Sequence, residues 1–243
     1  VERTVPNVIT ADIETRPYRA YTWQLRDAYI PNEFILDDRS IMAACWKPLG
    51  EKAQYVDTCG AENDFMVVKA MWRALDETDI VVTHNGKKFD LPILNARFMH
   101  YNMPPPSPYA VVDTYRVVRD KFGLASNKLE WVAEVLSDKR KRLHARYPGN
   151  RLWLECLLGN QAAWAEMRRY NIADVAATEA VYLKLRPWIT NHPYIGKERG
   201  LCGACGSGKL QSRGERRTKS FFIQRLHCQA CGNWQDGTKR KTT

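Results

Sequence analysis

Two periods of apolar residues alternate along the first 190 positions. Short, nearly continuous apolar runs read as buried strands at Val8 to Ile13, Ser40 to Trp46, Ala53 to Asp57, Asp79 to Thr83 and Ala110 to Asp113. Between and after them, apolar residues recur at helical spacing. Asn63 to Leu75 brings Phe65, Val68, Met71, Trp72 and Leu75 to one face. Phe89 to Tyr101 reads as a second helix, with Pro92 in its first turn, where a missing N–H is tolerated. Asn127 to Leu136 and Gln161 to Leu185 read as two more. Asn85-Gly86 marks a turn and Pro104 to Pro108 a loop. Three consecutive strands followed by alternating helices and strands predict an α/β fold, a mixed sheet flanked by helices.

Ser137 to Asn160 breaks the pattern. It is basic (Lys139, Arg140, Lys141, Arg142, Arg146, Arg151) and poorly periodic, and loops of that length are uncommon and often functional. Whether it clamps a substrate or docks a protein stays open at this level. Arg186-Pro187 ends the last helix. The expected organisation is one domain at 1–190, a linker at 191–200 and a small module at 201–243.

Composition narrows the class. A chain of 243 residues, 44% hydrophobic and 26% charged, has enough apolar side chains for a globular core. The longest apolar run, Ile41 to Trp46, is six residues, against the roughly 18 that a membrane helix needs. Val1-Glu2-Arg3-Thr4 has no apolar signal region, so a cytoplasmic protein with no membrane partner is expected. The net charge is +10, of which residues 191–243 hold +8 in eleven basic and three acidic side chains. A basic module on a near-neutral body suggests a polyanionic partner.

That module also holds four of the seven cysteines. Cys202-Gly203-Ala204-Cys205 and Cys228-Gln229-Ala230-Cys231 are two C-x₂-C pairs, the pattern of a four-cysteine zinc ribbon holding one structural Zn²⁺. Gly203, Gly206 and Gly232 suit tight turns around them. Between the pairs lie Arg213, Arg216, Arg217, Lys219 and Arg225 with Phe221 and Phe222, and Trp234 follows. Basic residues interleaved with aromatics suit nucleic acid, and docking of a replication protein is the alternative. Phe222 and Trp234 are expected mostly to pack the ribbon's own core. Cys45, Cys59 and Cys156 follow no motif and read as reduced, mostly core residues.

Four carboxylates sit where they can converge. Asp12 and Glu14, two apart on one strand, point to the same side of the sheet. Asp90 opens a helix after the Asn85-Gly86 turn, and Asp174 lies in the last long helix with Tyr170 four residues before it, on the same face. Clustered carboxylates repel unless cations lie between them, and hard oxygen ligands suit Mg²⁺ or Mn²⁺. Two such ions clamp the attacking and leaving oxygens of a phosphodiester displacement.

Asp12-Ile13-Glu14-Thr15, Asn85-Gly86-Lys87-Lys88-Phe89-Asp90 and Tyr170-Asn171-Ile172-Ala173-Asp174 resemble the three motifs of the DEDD superfamily of RNase H-like 3′–5′ exonucleases, relatives of polymerase proofreading domains. Arg169 stands where one branch has His and Tyr170 where the other has Tyr, so the chain resembles the Tyr (DEDDy) branch. With Ser126 to Glu130, Leu152 to Cys156 and the cysteine module, the likeness extends to stand-alone exonucleases encoded by tailed bacteriophages, which puts the expected setting in a bacterial cell or phage-infected host. The resemblance implies a fold, a chemistry and roles. Asp12, Glu14, Asp90 and Asp174 would hold two Mg²⁺ or Mn²⁺, and Tyr170 would orient the nucleophilic water. Thr15 would contact the terminal nucleotide, and Arg16-Pro17 departs from the small residues usual after the first motif. Asn85 would contact substrate or brace its turn, and Lys128 would neutralise phosphate. The implied substrate is nucleic acid with a free 3′ end, single-stranded or primer-terminus DNA by preference. A DNA polymerase is an implied partner, and the protein itself is expected to be a monomer. An RNase D-like exoribonuclease and a catalytically silent adaptor are the alternatives.

Overall fold

The computed structural model describes residues 6–24, 26, 29–137 and 146–242. Lys139 to Arg142 of the basic segment, and Val1 to Thr4, lie outside them. The chain opens with β1 (Val8–Thr15), the short strands β2 (Arg19–Ala20) and β3 (Ile35–Asp37), then β4 (Ile41–Pro48) and β5 (Gln54–Asp57). Next come α1 (Phe65–Asp76), β6 (Ile80–Thr83), α2 (Asp90–His100), β7 (Ala110–Asp113), α3 (Thr114–Lys121) and α4 (Leu129–Leu136). After α5 (Arg151–Leu157) and α6 (Gln161–Leu185), the chain ends in β8 (Leu210–Arg217), β9 (Phe221–Cys228) and β10 (Trp234–Lys241).

The main sheet has five strands in the order β5-β4-β1-β6-β7. β4 pairs antiparallel with both β1 and β5, as short connections allow. β6 runs parallel to β1 and β7, and the connections that return the chain carry α1 and α2. This is the mixed α/β sheet flanked by helices that the apolar periods predict. Ile9, Ala11 and Ile13 of β1 bury against Val68, Met71 and Leu75 of α1 and Leu94 and Phe98 of α2. The alternate residues of β1 face α6.

Helix α6 is capped by Asn160, whose side chain accepts from the N–H groups of Ala162 and Ala163. Over its 25 residues it is buried on several sides. The reason is that it lies between the sheet and an outer layer. Ala177, Val181 and Leu185 pack on Val118 of α3 and on Leu129, Val132 and Ala133 of α4. A helix apolar on several faces belongs inside a layered fold. Glu179 ties it to β4 by an ion pair with Lys47 and accepts the Gly50 N–H at 2.9 Å.

Three elements go beyond the sequence reading. α3 starts directly after β7, because Asp113 caps it by accepting from Tyr115 and Arg116. β2 and β3 form a small antiparallel pair. The expected loop at 137–160 contains α5. Only seven residues long, α5 shows no periodicity beyond Leu152 and Cys156, which lie four apart and bury against Ala163 and Met167 of α6.

β10, β9 and β8 form a separate antiparallel sheet in that order. The chain leading to it is packed rather than loose. Ile189 and Ile195 bury with Val8, Ile80 and Tyr182. The Tyr182 hydroxyl is 2.8 Å from His192 Nε2, their rings stack, and the Ile195 N–H donates to the Gly203 carbonyl at 2.8 Å.

Leu152→Ala is expected to cost about 2–5 kcal/mol in urea denaturation, as a cavity beneath α6. Leu158→Ala, at an exposed position one residue past α5, is expected to stay within about 0.5 kcal/mol of the parent.

Candidate active site and cysteine centre

Asp12 and Glu14 alternate along β1 with the buried Ala11 and Ile13, so both project toward α6. Helix α6 brings Asp174 over them, and carboxylate oxygens of Asp12, Glu14 and Asp174 lie within 4.8 Å of one another. Asn171, one turn before Asp174 and fully buried, donates its Nδ2 to Asp12 Oδ2 at 2.5 Å. Trp153 of α5 donates its indole N–H to Glu14 Oε2 at 3.0 Å. The same indole meets Tyr170 edge to face, with ring centroids 5.7 Å apart.

Tyr170 is buried beside the acids. Its phenol is held far above its ordinary value, first by burial and then by the charges of Asp174, Glu14 and Asp12. It therefore keeps its proton, and its hydroxyl is hydrogen-bonded to Asp174 at the edge of the acidic set. Three carboxylates at this separation form a hard-oxygen donor set that suits Mg²⁺ or Mn²⁺.

Asp90 is brought near but does not join the trio. β6 pairs with β1 only through Thr10, so the Ile13 N–H lies beyond the parallel ladder. Asp90 accepts it at 3.1 Å from the first turn of α2. Burial, with the charge of Asp113 adding to it, raises the Asp90 carboxyl to about 6 despite hydrogen bonds from backbone N–H groups.

The turn before α2 is fixed from below. Asn85 has φ of 70°, and its N–H and that of Lys87 donate to the two oxygens of Asp113 at 2.9 and 3.2 Å. A Cβ on Gly86 would fall 2.6 Å from that of Thr83, so only glycine fits there. His84 is 2.8 Å from Thr114 Oγ1 and 2.9 Å from the Asn127 carbonyl. That bridge holds the exposed Lys128 next to the turn. Thr15 sits at a register shift after Glu14 and lines a cleft of about 370 Å³ with Tyr18, Arg39, Phe89 and Trp153.

Sequence reasoning assigned no role to Trp153, Asn171 or Asp113. The first two lie inside the quoted segments Leu152 to Cys156 and Tyr170 to Asp174. Asn171 precedes Asp174 by three, the spacing that shares a helix face, and that was the available signal. Nothing local pointed to Trp153, whose partner is 139 positions away.

The cysteine centre is built from two copies of one turn. The Gly206 N–H donates to the Cys202 carbonyl at 2.8 Å, and the Gly232 N–H to the Cys228 carbonyl at 2.9 Å. Both glycines have positive φ, 71° and 77°. The Cys202 and Cys228 N–H groups donate to Ser207 and Asn233 in the same way. All four sulfurs lie within 4.8 Å, with Cys202–Cys231 and Cys205–Cys228 each at 3.7 Å. Zinc–sulfur bonds of about 2.3 Å in a tetrahedron require sulfurs about 3.8 Å apart, so the four thiols fit Zn²⁺. Burial works against ionisation, yet the Cys231 and Ala230 N–H groups and neighbouring thiols bring Cys228 down to about 7. Its neighbours Cys205 and Cys231 are instead pushed up, first by burial, as are the isolated Cys45 and Cys156, these two to about 12.

Arg213, Arg216, Arg217 and Lys219 are exposed along or just after β8. Arg216 pairs with Asp236 at 2.8 Å. Phe222 lies between the guanidinium groups of Arg217 and Arg240, 5.1 and 4.4 Å from its ring centre. Trp234 is half exposed against His227 and Arg225. These two aromatics therefore do not form the ribbon core, which is Cys202, Ala204, Cys228 and Ile223. Among the described residues no helix is long and apolar enough to cross a membrane.

Residues 38–186 match the sequence family described as the RNase_H superfamily. The match includes Asp90, Tyr170 and Asp174 and begins after Asp12 and Glu14. The fold is similar to that of the family B DNA polymerase from the hyperthermophilic archaeon Pyrobaculum calidifontis, with a TM-score of 0.56 and 20% identity. That likeness covers 75% of this chain and 25% of the polymerase chain, so this protein spans a quarter of its length. A comparison with curated proteins found no match.

Two outcomes follow from the site electrostatics. A carboxyl raised in the fold contributes stability below its unfolded value, and that contribution is lost as pH rises through its folded value of about 6. Without divalent ions, Asp90→Asn is expected to stabilise the protein by on the order of 2–3 kcal/mol at neutral pH and to change little near pH 4, measured by thermal or urea unfolding. The native chain is expected to carry one equivalent of zinc by elemental analysis. Cys228→Ser should lose that zinc and expose the C-terminal sheet to proteolysis.

Proposed function

Because the chain belongs to the RNase_H superfamily, we propose that it is a divalent-metal-dependent 3′–5′ exonuclease of the DEDDy type, taking nucleic acid, DNA by preference, to 5′-mononucleotides. The observation that carries this reading is the convergence of Asp12, Glu14 and Asp174 beside the protonated phenol of Tyr170.

Asp12, Glu14 and Asp174 would hold the Mg²⁺ or Mn²⁺ ions, with Asp90 supporting from behind β1. Such ions lower the pKa of water and stabilise the charge that develops on the leaving oxygen. The chain's own residues do the positioning. Tyr170 donates its O–H to the attacking water and sets its line of approach. Asn171 and Trp153 each hydrogen-bond one carboxylate oxygen, of Asp12 and Glu14 respectively, and so fix how the two acids sit. Thr15 and the cleft beside it receive the terminal nucleotide, and Lys128, held next to the braced Asn85 turn, neutralises phosphate. Zinc in the ribbon is structural. Arg213, Arg216, Arg217 and Lys219 give the ribbon a cationic strand for the phosphate backbone or for a replication partner such as a polymerase.

A time course on 5′-labelled single-stranded DNA, duplex DNA and RNA, in Mn²⁺, Mg²⁺ or EDTA, tests the reading. The expected result is a metal-dependent ladder shrinking from the 3′ end. Asp12→Ala should abolish it, and Tyr170→Phe should slow it roughly 100-fold while binding persists. Full metal-dependent hydrolysis by Asp12→Ala would sink the assignment. Strand binding without turnover in any metal would favour the adaptor reading.

A further inference from the structure

Residues 16–40 form an arm between β1 and β4. Among its described residues none is buried, and its only regular structure is the β2–β3 pair with the single 3₁₀ turn before β3. Yet it holds Tyr18, Tyr21, Trp23, Tyr29 and Phe34, all exposed. Trp23 and Tyr29 are the extremes, 85% and 89% open to solvent. Trp23 stacks on Phe34 with centroids 5.7 Å apart and planes 6° from parallel, which leaves its other face open. Arg39 lies over both Tyr18 and the Phe89 ring, at 4.8 and 5.2 Å. So many open rings on a segment without a core need an occupant.

Continuity with the acidic centre identifies it. The small cleft beside Glu14, walled by Thr15 and Trp153, shares Arg16, Pro17, Tyr18, Arg39 and Phe89 with a groove of about 1240 Å³ that the arm borders. Resting on the exonuclease reading above, we infer that the arm is a stacking platform for single-stranded nucleic acid. The bases upstream of the terminal nucleotide lie on Tyr18, Tyr21, Trp23 and Tyr29. A strand whose 3′ end reaches the carboxylates leaves through the shared wall, where it meets Tyr18, and continues along the arm that carries the other rings. The arm does not attract it by charge, since positions 18–39 hold three basic and four acidic residues, Asp27 among them. Stacking on π faces is sequence-tolerant and, unlike the cationic ribbon, nearly independent of salt.

The test is binding of oligothymidylates of increasing length in Ca²⁺, followed by fluorescence anisotropy at two salt concentrations. Hydrolysis of the p-nitrophenyl ester of thymidine 5′-monophosphate in Mn²⁺ runs beside it, since that substrate engages only the carboxylate site. For the parent, affinity should climb with length. A Trp23→Ala, Tyr29→Ala double variant should lose roughly 10- to 100-fold on long strands at either salt concentration. It should keep the parent's affinity for the shortest strand, its ester hydrolysis and its thermal midpoint. Trp23→Phe, which keeps a ring, should recover most of the loss. Long-strand affinity unchanged in the double variant would overturn the platform, as would ester hydrolysis by a parent whose affinity does not rise with length. A platform occupied by another protein would appear as that first result. A parent that neither binds strands nor hydrolyses the ester would instead sink the exonuclease reading itself.

Discussion

Three carboxylates held within 4.8 Å are the constraint around which this protein is arranged. At an effective dielectric constant of 20, each like-charged pair at that distance repels by about 3–4 kcal/mol. Without an intervening cation the acids would push β1 and α6 apart. The packing that opposes this surrounds them. Met167 and Tyr170 of α6 bury with Leu152 and Cys156 of α5 on one side, and Glu179 joins Lys47 further along. Two neutral donors, the Asn171 amide and the Trp153 indole, offset some of the charge on Asp12 and Glu14. Repulsion held in place by a core leaves a hard-oxygen donor set of the kind that suits divalent cations.

The same logic separates Asp90 from its neighbours. It is buried, raised to about 6, and occupied by the Ile13 N–H. Its first effect is on shape. It closes the hydrogen-bond ladder of β1 where β6 stops, and so sets the stretch of strand that carries Asp12 and Glu14. Asp113 has a matching role at the end of β7, capping α3 while gripping the Asn85 turn. Two acids thus build the backbone on which the others stand.

Most regular elements were legible in the sequence because their signals are local. Gln161–Leu185 and Ala110–Asp113 were read with the bounds the structure has. The convergence of Asp12, Glu14 and Asp174 followed from spacing plus resemblance. What escaped was decided at a distance. α5 is two turns long and is stabilised by α6 rather than by its own pattern. α3 is mostly polar and exists because Asp113 caps it and Val118 finds a pocket. Asn171 meets Asp12 across 159 positions, and no local rule reports such a pair. Trp234 was expected to pack because aromatic residues usually do, but the ribbon's interior is filled by its thiols and a few small side chains.

The strap from Ile189 to Ile195 gives the two sheets a shared geometry. Its two ends, Ile189 and Ile195, are buried on the main sheet beside Tyr182, Ile195 is hydrogen-bonded to the first cysteine turn, and Gly232 of the second turn lies near Pro187. Asp174 lies eleven residues, about 16 Å of helix, before Leu185, where that junction begins. The ribbon is consequently not an interchangeable attachment. Its spacing is written into the body of the protein, because the chain between Ile189 and Ile195 must span the distance between their two buried positions. Recombination that swaps C-terminal modules among related chains would have to cut upstream of α6 or preserve this stretch whole.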